Sequence, residues 1–531
     1  MVKKLFSLKI SLLIKYKHFF IVCISLLIGS LIYNFYSRTF PVFPNRVAPV
    51  IPYNFQSDFV KRPNIVLILL DDLDDSVSPY WEAMPVTRTL IKERGMAFIN
   101  SFSPNPLCCP ARASLLTGKY SHNTGVYNNH GATGGWKTFK EMGNEEKSFA
   151  VYLQKSGYLT SHIGKYLNGI EDNKLHVPPG WDKWYGGVGR SIYTGYNYTL
   201  NENGKLVSYG NKEKDYLTDV LSRKAVDFIK EANKKDDVPF FLSIAPTAPH
   251  YPILPAVRHK NHPFANSALS EWPNINESDI SDKSSWLKNS ADIRSLLLSL
   301  TTVYDYRARM GSLFAVDDLV SSVFEALADS GELENTYIIF TSDNGYNNGS
   351  HRLIQKMAPY EESQRVPLVI SGPGIYHSVE SDFALTIDLA PTILNLAGVT
   401  LPEDMDGMSL MPLLKEEKDI TWREDYIAEH KIGGLASEFS GNQYLFGLIN
   451  DYIDIPSYTA LRNKKYLFIE WQVGEGGKKR EYELYDMDQD RYQLQNLLYT
   501  KQGKVKYSEV VKELSERMSF LKKCSGKNCR I

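Results

Sequence analysis

The residues best suited to chemistry lie in Cys108-Cys109-Pro110-Ala111-Arg112, which runs on as Ala113-Ser114-Leu115-Leu116-Thr117-Gly118-Lys119. Pro110 fixes the backbone where a helix begins, and Arg112 brings a permanent positive charge beside two thiols. A helix N-terminus and a guanidinium both favour thiolate and bind anions, so these residues describe a reactive cysteine in an anion site. The same stretch also fits two buried, inert thiols or a vicinal disulfide at a helix start.

A second set of groups is rich in oxygen. The apolar run Pro63 to Leu70 ends in Asp71-Asp72, and the run from Thr336 to Phe340 leads into Ser342-Asp343-Asn344-Gly345. Adjacent carboxylates repel unless a cation holds them, and hard oxygen donors without clustered His or Cys suit Ca²⁺ or Mg²⁺ better than Zn²⁺. A solvated Asp turn, extended by Asp74 and Asp75, is the plainer reading of the first pair. Three more residues could reach a central site. Lys165 follows Gly164 at a strand end, His250 stands on a loop between Pro249 and Pro252, and Lys356 precedes Pro359-Tyr360-Glu361-Glu362. A neutral imidazole at 250 could donate a hydrogen bond to a bound anion, and its protonated form could serve as a general acid. A surface lysine, a packed loop histidine and a charged helix face are the corresponding plain readings.

The elements that must position these groups are legible. Residues 63–70, 240–245 and 336–340 are continuous apolar runs, which read as strands buried on both faces of a parallel sheet under helices. Ligands collect at the carboxyl ends of such strands, where Asp71-Asp72, His250 and Asp343-Asn344 fall. Phe149 to Gly157 reads as a helix ended by glycine and followed by a strand, and Tyr304 to Gly331 as a long amphipathic helix. The polar and aromatic loop from Tyr120 to Gly131 fits a pocket rim or a solvent loop. Beyond residue 415 the chain is strand-rich, with Tyr482-Glu483-Leu484-Tyr485-Asp486, and a last helix spans about Ser508 to Lys522.

The 531 residues suffice for one large unit and a smaller one, and a formal net charge of −1 gives no reason to expect nucleic acid as a partner. Lys3, Lys4, Lys9, Lys15 and Lys17 precede the apolar run from Phe19 to Tyr33, which places the N-terminus in the cytoplasm and the bulk of the chain across a membrane. An uncleaved signal anchor or a cleaved signal peptide would have that pattern. The expected division is a cytoplasmic tail and anchor over 1–36, a tether over 37–61, a catalytic unit over 62–415 and a C-terminal subdomain over 416–531. Of 5 cysteines, Cys524 and Cys529 close the chain around Ser-Gly-Lys-Asn, as a disulfide in an oxidising compartment or else as a metal-binding or reduced pair. Asn197, Asn276 and Asn348 open glycosylation sequons.

The order of these motifs resembles the sulfatase family. Cys-x-Pro-Ser/Ala-Arg followed by Leu-Thr-Gly is that family's signature, and the resemblance spans about residues 62 to 525. It implies an alkaline-phosphatase-like α/β sandwich with a large, mostly parallel sheet between helices and a small C-terminal antiparallel sheet. It implies that Cys108 becomes formylglycine, made by a formylglycine-generating enzyme, and that Asp71, Asp72, Asp343 and Asn344 hold Ca²⁺ against the residue at 108. Arg112, Lys165, His250 and Lys356 take the family's sulfate-binding positions. Hydrated formylglycine would attack sulfur through one hydroxyl. The alcohol would leave with His250 or Lys356 stabilising or protonating it. The second hydroxyl would then lose its proton and expel sulfate, restoring the aldehyde.

Within the family, Gly-Lys-Tyr-Leu-Asn at 164–168 is similar to the N-acetylglucosamine-6-sulfatase and extracellular endosulfatase branch, with arylsulfatases beside it. That implies sulfated sugars as substrates, glucosamine 6-sulfate first, with aryl sulfates as artificial ones. The endosulfatases' long basic insert is missing. Many members carry a His where this chain has Leu167, a role that Asn168 or His162 would have to fill. Two rival readings follow. One is a phosphodiesterase or phosphonate hydrolase of the same superfamily, and the other is a catalytically silent, membrane-anchored binding protein.

Overall fold

The structure is a computed structural model that describes residues 61–75, 80–235, 238–260, 272–290, 295–432 and 455–530. The expected anchor at 19–33 and most of the tether lie outside these residues. Among the described residues no helix is long and apolar enough to cross a membrane.

Four strands form the centre of a ten-stranded sheet: β1 (Asn64–Leu70), β2 (Leu159–Gly164), β3 (Phe240–Ala245) and β4 (Thr336–Ser342). They lie in the order β4-β1-β3-β2 and pair in parallel throughout, with Lys183–Val188 parallel beyond β2. Outside them the sheet turns mixed. Leu368–Ser371 runs antiparallel to β4, and Thr199–Glu202 and Lys205–Ser208 close the other edge as antiparallel strands.

The parallel centre follows from the apolar runs. Every residue of β1 is buried, and its side chains alternate between two cores. Val66, Ile68 and Leu70 pack with Leu313, Val316 and Val320 on one face, while Ile65, Leu67 and Leu69 pack with Ala113, Leu116 and Phe241 on the other. Each such burial stabilises by about 1.5–3 kcal/mol, so truncating Ile68 to Ala would cost roughly 2–5 kcal/mol.

Two helices flank β1. The fully buried α1 (Cys108–Thr117) lies on one side and stops at Gly118, whose φ of 68° is left-handed. A Cβ at that glycine would also lie 3.3 Å from both the Ala390 side chain and the Ile387 carbonyl. On the other side runs α2 (Ser295–Asp329). It begins nine residues earlier than its amphipathic pattern indicates, because the leucine-rich run from Leu296 to Leu300 has strong helix propensity despite lacking an apolar stripe.

The C-terminal sheet is an antiparallel meander of Asp425–His430, Tyr458–Asn463, Tyr466–Val473 and Lys479–Asp486, with the helix Ser508–Leu521 against it. Its core is shared with the large unit: Phe468, Trp471 and Leu484 belong to one buried cluster with Leu107, Tyr120, Met357 and Tyr360. Cys524 and Cys529 form a disulfide. Of the sequons, Asn197 and Asn276 are exposed, but Asn348 is buried and donates from Nδ2 to Asp74, which leaves no room for a glycan.

Candidate active site

The strand register assembles the site. Leu70 of β1 pairs with Ser342 of β4, so Asp71 and Asp343 emerge side by side at the carboxyl edge. The Asp343 amide donates to the Leu70 carbonyl at 3.1 Å, the Asp71 amide to Ala248 O at 3.2 Å and the Lys165 amide to Ala245 O at 2.8 Å. The four strand ends are thereby fixed to one another by backbone bonds.

Cys108 opens α1 directly over this edge. Its Sγ lies 3.5 Å from Asp71 Oδ1, 4.0 Å from Asp72 Oδ1 and 2.7 Å from Lys356 Nζ. Lys165 Nζ donates to Asp71 Oδ2 at 2.7 Å, Lys356 Nζ pairs with Asp72 Oδ1, and Arg112 Nε donates to Asp343 Oδ2 at 2.7 Å. Arg112 Nη1 also donates to the Lys165 carbonyl at 2.7 Å. His250 Nε2 stands 3.6 Å from Asp72 Oδ2. Asn344 Nδ2 donates to Asp72 Oδ1 at 2.7 Å. All nine residues singled out from the sequence therefore converge: Asp71, Asp72, Cys108, Arg112, Lys165, His250, Asp343, Asn344 and Lys356.

Three carboxylates and three permanent cations share this buried volume, and their mutual attraction sets the ionisation. Burial alone would raise Asp71, but Lys165, then His250 and Arg112, outweigh it and hold the carboxyl at about 2. Asp72 is lowered in the same way, by Lys356 and His250 against its own burial. Burial lowers the His250 imidazole to about 4, against the pull of Asp72 and Asp71. Its Nδ1 meets the Tyr251 carbonyl, so a neutral ring presents Nε2 as an acceptor. The hydrogen-bond donation expected of a neutral His250 through that atom requires protonation instead.

The thiol departs from the sequence expectation. A helix start beside Arg112 favours thiolate, but the guanidinium is turned to Asp343, and Cys108 is 1% exposed beside two carboxylates. Burial pushes its thiol up by more than Lys165 and Lys356 recover. Burial thus disfavours the Cys108 thiolate that the sequence pattern suggests. Neither Cys108 nor Cys109 is disulfide-bonded, which removes the vicinal disulfide.

Two orphan atoms test the cluster for ligands. Asn344 Oδ1 is a buried acceptor without a partner, and Arg112 Nη2 is a buried donor without one. The Asn344 oxygen belongs to an otherwise carboxylate shell, and Asp71, Asp72, Cys108 and His250 can place one ligand atom each within 4.8 Å of one another. The oxygens of Asp71, Asp72, Asp343 and Asn344 fit a divalent cation, and, against the expectation of a site without clustered His or Cys, the Cys108 sulfur and the His250 ring stand among them. The Arg112 nitrogen fits an oxyanion.

Other candidates fall elsewhere. His162 sits among Tyr166, Trp181 and Trp184 with Nδ1 3.1 Å from Ser243 Oγ, and burial lowers it to about 3, so it does not fill the position left by Leu167. Asn168 is nearer, donating to the Tyr193 hydroxyl at 3.3 Å. Asp75 accepts from Tyr80, and His351 pairs with Glu277 outside the cluster.

Two supporting residues escape sequence reasoning. Asn129 Oδ1 accepts from the Cys109 amide at 2.8 Å and so caps α1 from a distant loop. Arg309 of α2 donates to Asp72 O at 2.5 Å and Pro249 O at 3.2 Å, tying the acidic turn to the histidine loop. The polar 120–131 loop gave a hint of the first. Nothing in a helical pattern marks the second.

A mostly parallel α/β centre with clustered carboxylates and cationic side chains at its strand ends, beside a small antiparallel sheet, is the alkaline-phosphatase-like fold. The family model described as Sulfatase matches residues 63–399, and the chain belongs to the sulfatase family, enzymes that hydrolyse sulfate esters. It is 36% identical over 497 residues to N-acetylglucosamine-6-sulfatase of Capra hircus, covering 88% of this chain and 85% of the relative. It is 38% identical over 380 residues to a putative extracellular sulfatase Sulf-1 homolog of Caenorhabditis elegans, covering 69% of this chain and 52% of the relative. Among solved structures, BT4656 in complex with its substrate D-glucosamine-2-N,6-O-disulfate superposes with a TM-score of 0.69 at 25% identity, over 86% of this chain and 97% of that one.

Proposed function

We propose that this chain is a formylglycine-dependent sulfatase that removes the 6-sulfate from glucosamine-type sugars outside the cytoplasm. The observation that carries the reading is the pair of orphan atoms around Cys108: an unpartnered Arg112 donor for an oxyanion and an unpartnered Asn344 acceptor for a cation. The disfavoured thiolate agrees with it, since a cysteine without thiolate character needs conversion to act. Cys108 would enter the reaction as formylglycine, installed by a formylglycine-generating enzyme, whose hydrated carbon supplies the attacking hydroxyl.

Asp71, Asp72, Asp343 and Asn344, with the residue at 108, would hold Ca²⁺ (or Mg²⁺), whose charge offsets the negative charge gathering on the reacting oxygens. Arg112 and Lys165 bind sulfate oxygens and keep the ester in line with residue 108. Lys356, pushed up by Asp72 despite its burial, stays protonated and donates to the departing oxygen. His250 flanks that oxygen. The sugar assignment rests on similarity to N-acetylglucosamine-6-sulfatases and to a protein captured with a glucosamine sulfate. Export rests on the N-terminal pattern and the closed Cys524–Cys529 bond.

The test is the mass of the peptide containing Cys108 after co-expression with the maturing enzyme, followed by sulfate release from glucosamine 6-sulfate. An aldehyde and free sulfate are expected. An intact thiol with no sulfate released would point to a silent binding protein, and turnover of phosphate or phosphonate esters alone would point to the superfamily's phosphorus branch.

A further inference from the structure

The cluster is closed on most sides. Asp71, Asp343 and Asn344 are fully buried, and Lys165 is 3% exposed. Among the titratable side chains of the site His250 is the most open, at 18%. The more open side of the cluster is thus the His250 side, and beside His250 stands Tyr193, half-buried and without a role in the scheme above.

Tyr193 is held from three directions. Its ring lies 4.4 Å from the His250 ring, centroid to centroid, and Lys165 Nζ sits 5.1 Å from its centroid. Its hydroxyl accepts from Asn168 Nδ2 at 3.3 Å. The short helical turn Arg190–Thr194 that carries it is tied down where Thr247 Oγ1 donates to the Ile192 carbonyl at 3.2 Å, just ahead of the histidine loop. Ile192 is buried under that turn, against Gly187, where any Cβ would come within 2.9 Å of it. The ring is thus fixed at the entrance, with two site residues against it and part of its surface open.

We propose that Tyr193 is a specificity-determining residue, forming with His250 an aromatic platform for the ring of the leaving alcohol. Sulfate held by Arg112 and Lys165, with Lys356 and His250 at the departing oxygen, leaves the alcohol on the His250 side, where a pyranose C–H face or an aryl ring packs on an aromatic surface and a short alkyl chain gains little. Such a residue contributes to recognition of the alcohol and not of the sulfate. The inference rests on the sulfatase reading of the site.

Calorimetry on Cys108→Ala protein in Ca²⁺ buffer, which binds without turnover, compares D-glucosamine 6-sulfate with inorganic sulfate. Adding Tyr193→Ala is expected to weaken the sugar ester at least tenfold and inorganic sulfate by less than twofold. Tyr193→Phe, which keeps the ring, should leave both within about threefold. Equal loss on both ligands would make Tyr193 a packing residue, and no loss on either would remove it from the binding surface. Both outcomes overturn the proposal, as does failure of the Cys108→Ala protein to bind either ligand. A mature enzyme that releases no sulfate while the binding contrast persists would sink the sulfatase reading and leave the platform standing.

Discussion

Arg112 and Asp343 face each other across the strand ends, Nε to Oδ2 at 2.7 Å, with both side chains buried. The pair does two things at once. It fixes the guanidinium plane, with Nη1 committed to the Lys165 carbonyl, and leaves Nη2 of this guanidinium buried without a partner.

Arg112→Lys keeps the charge but cannot serve Asp343, the Lys165 carbonyl and an oxyanion together. A fall in kcat/KM of roughly 10²–10³ is expected, the scale of losing one aimed donor. Arg112→Ala leaves Asp343 buried without its partner and should also cost about 3–5 kcal/mol of stability, read by chemical denaturation. Equal activity in the Lys variant would mean that Nη2 binds nothing in the reaction.

Removing the cation should cost both activity and stability. Without a divalent ion, Asp71, Asp72 and Asp343 depend on Lys165, Lys356 and Arg112 alone for neutralisation. Chelation should abolish sulfate release and lower the melting temperature. Calcium at 100 times its Kd should restore about 2.7 kcal/mol. Unchanged melting after exhaustive chelation would count against a cation at this site.

The cap supplied by Asn129 predicts an effect out of proportion to its distance in sequence. Asn129→Ala should destabilise by about 1 kcal/mol, as cap losses do. It should also reduce kcat more than it raises KM, because the Cys109 amide it holds adjoins Cys108, the proposed nucleophile position. Steady-state kinetics with a melting curve separates the two effects.

A pH dependence follows from His122, which links Glu429 Oε2 at 2.7 Å to the Cys524 carbonyl at 3.0 Å. Burial lowers its basicity, but Glu429 and the carbonyl outweigh this, so the imidazole is raised above its ordinary value of 6.5. A raised folded pKa contributes stability that is fully present below the unfolded pKa and is lost as pH climbs through the folded one. Wild-type melting temperature should therefore fall, relative to His122→Gln, from just above pH 6.5 upward. Parallel curves for the two proteins would place the histidine outside that balance.

The sequence showed most where local pattern and chemistry coincide. The runs at 64–70, 240–245 and 336–342 are buried on both sides and could hardly be anything but central strands, so the residues just past them had to meet. Cys108 showed its position but not its ionisation. Whether a thiol beside an arginine is a thiolate depends on where that arginine points, and Asp343, 231 residues away, decides this. Arg309 and Tyr193 were illegible for a similar reason: each acts through a three-dimensional neighbour, and neither breaks the pattern of its own element. Asn348 misled in the opposite direction, since its sequon lies in a segment whose side chains turn inward.

The complete enclosure of α1 bears on when the enzyme can be made active. If Cys108 is converted to formylglycine, the converting enzyme must reach a segment that the finished fold closes off, since all ten residues of that helix are buried. Conversion and folding then compete for the same stretch of chain during synthesis. A molecule that folds first is locked as an inert thiol form that later exposure to the converting enzyme cannot rescue. On that reading, the specific activity of a preparation would be a record of that race.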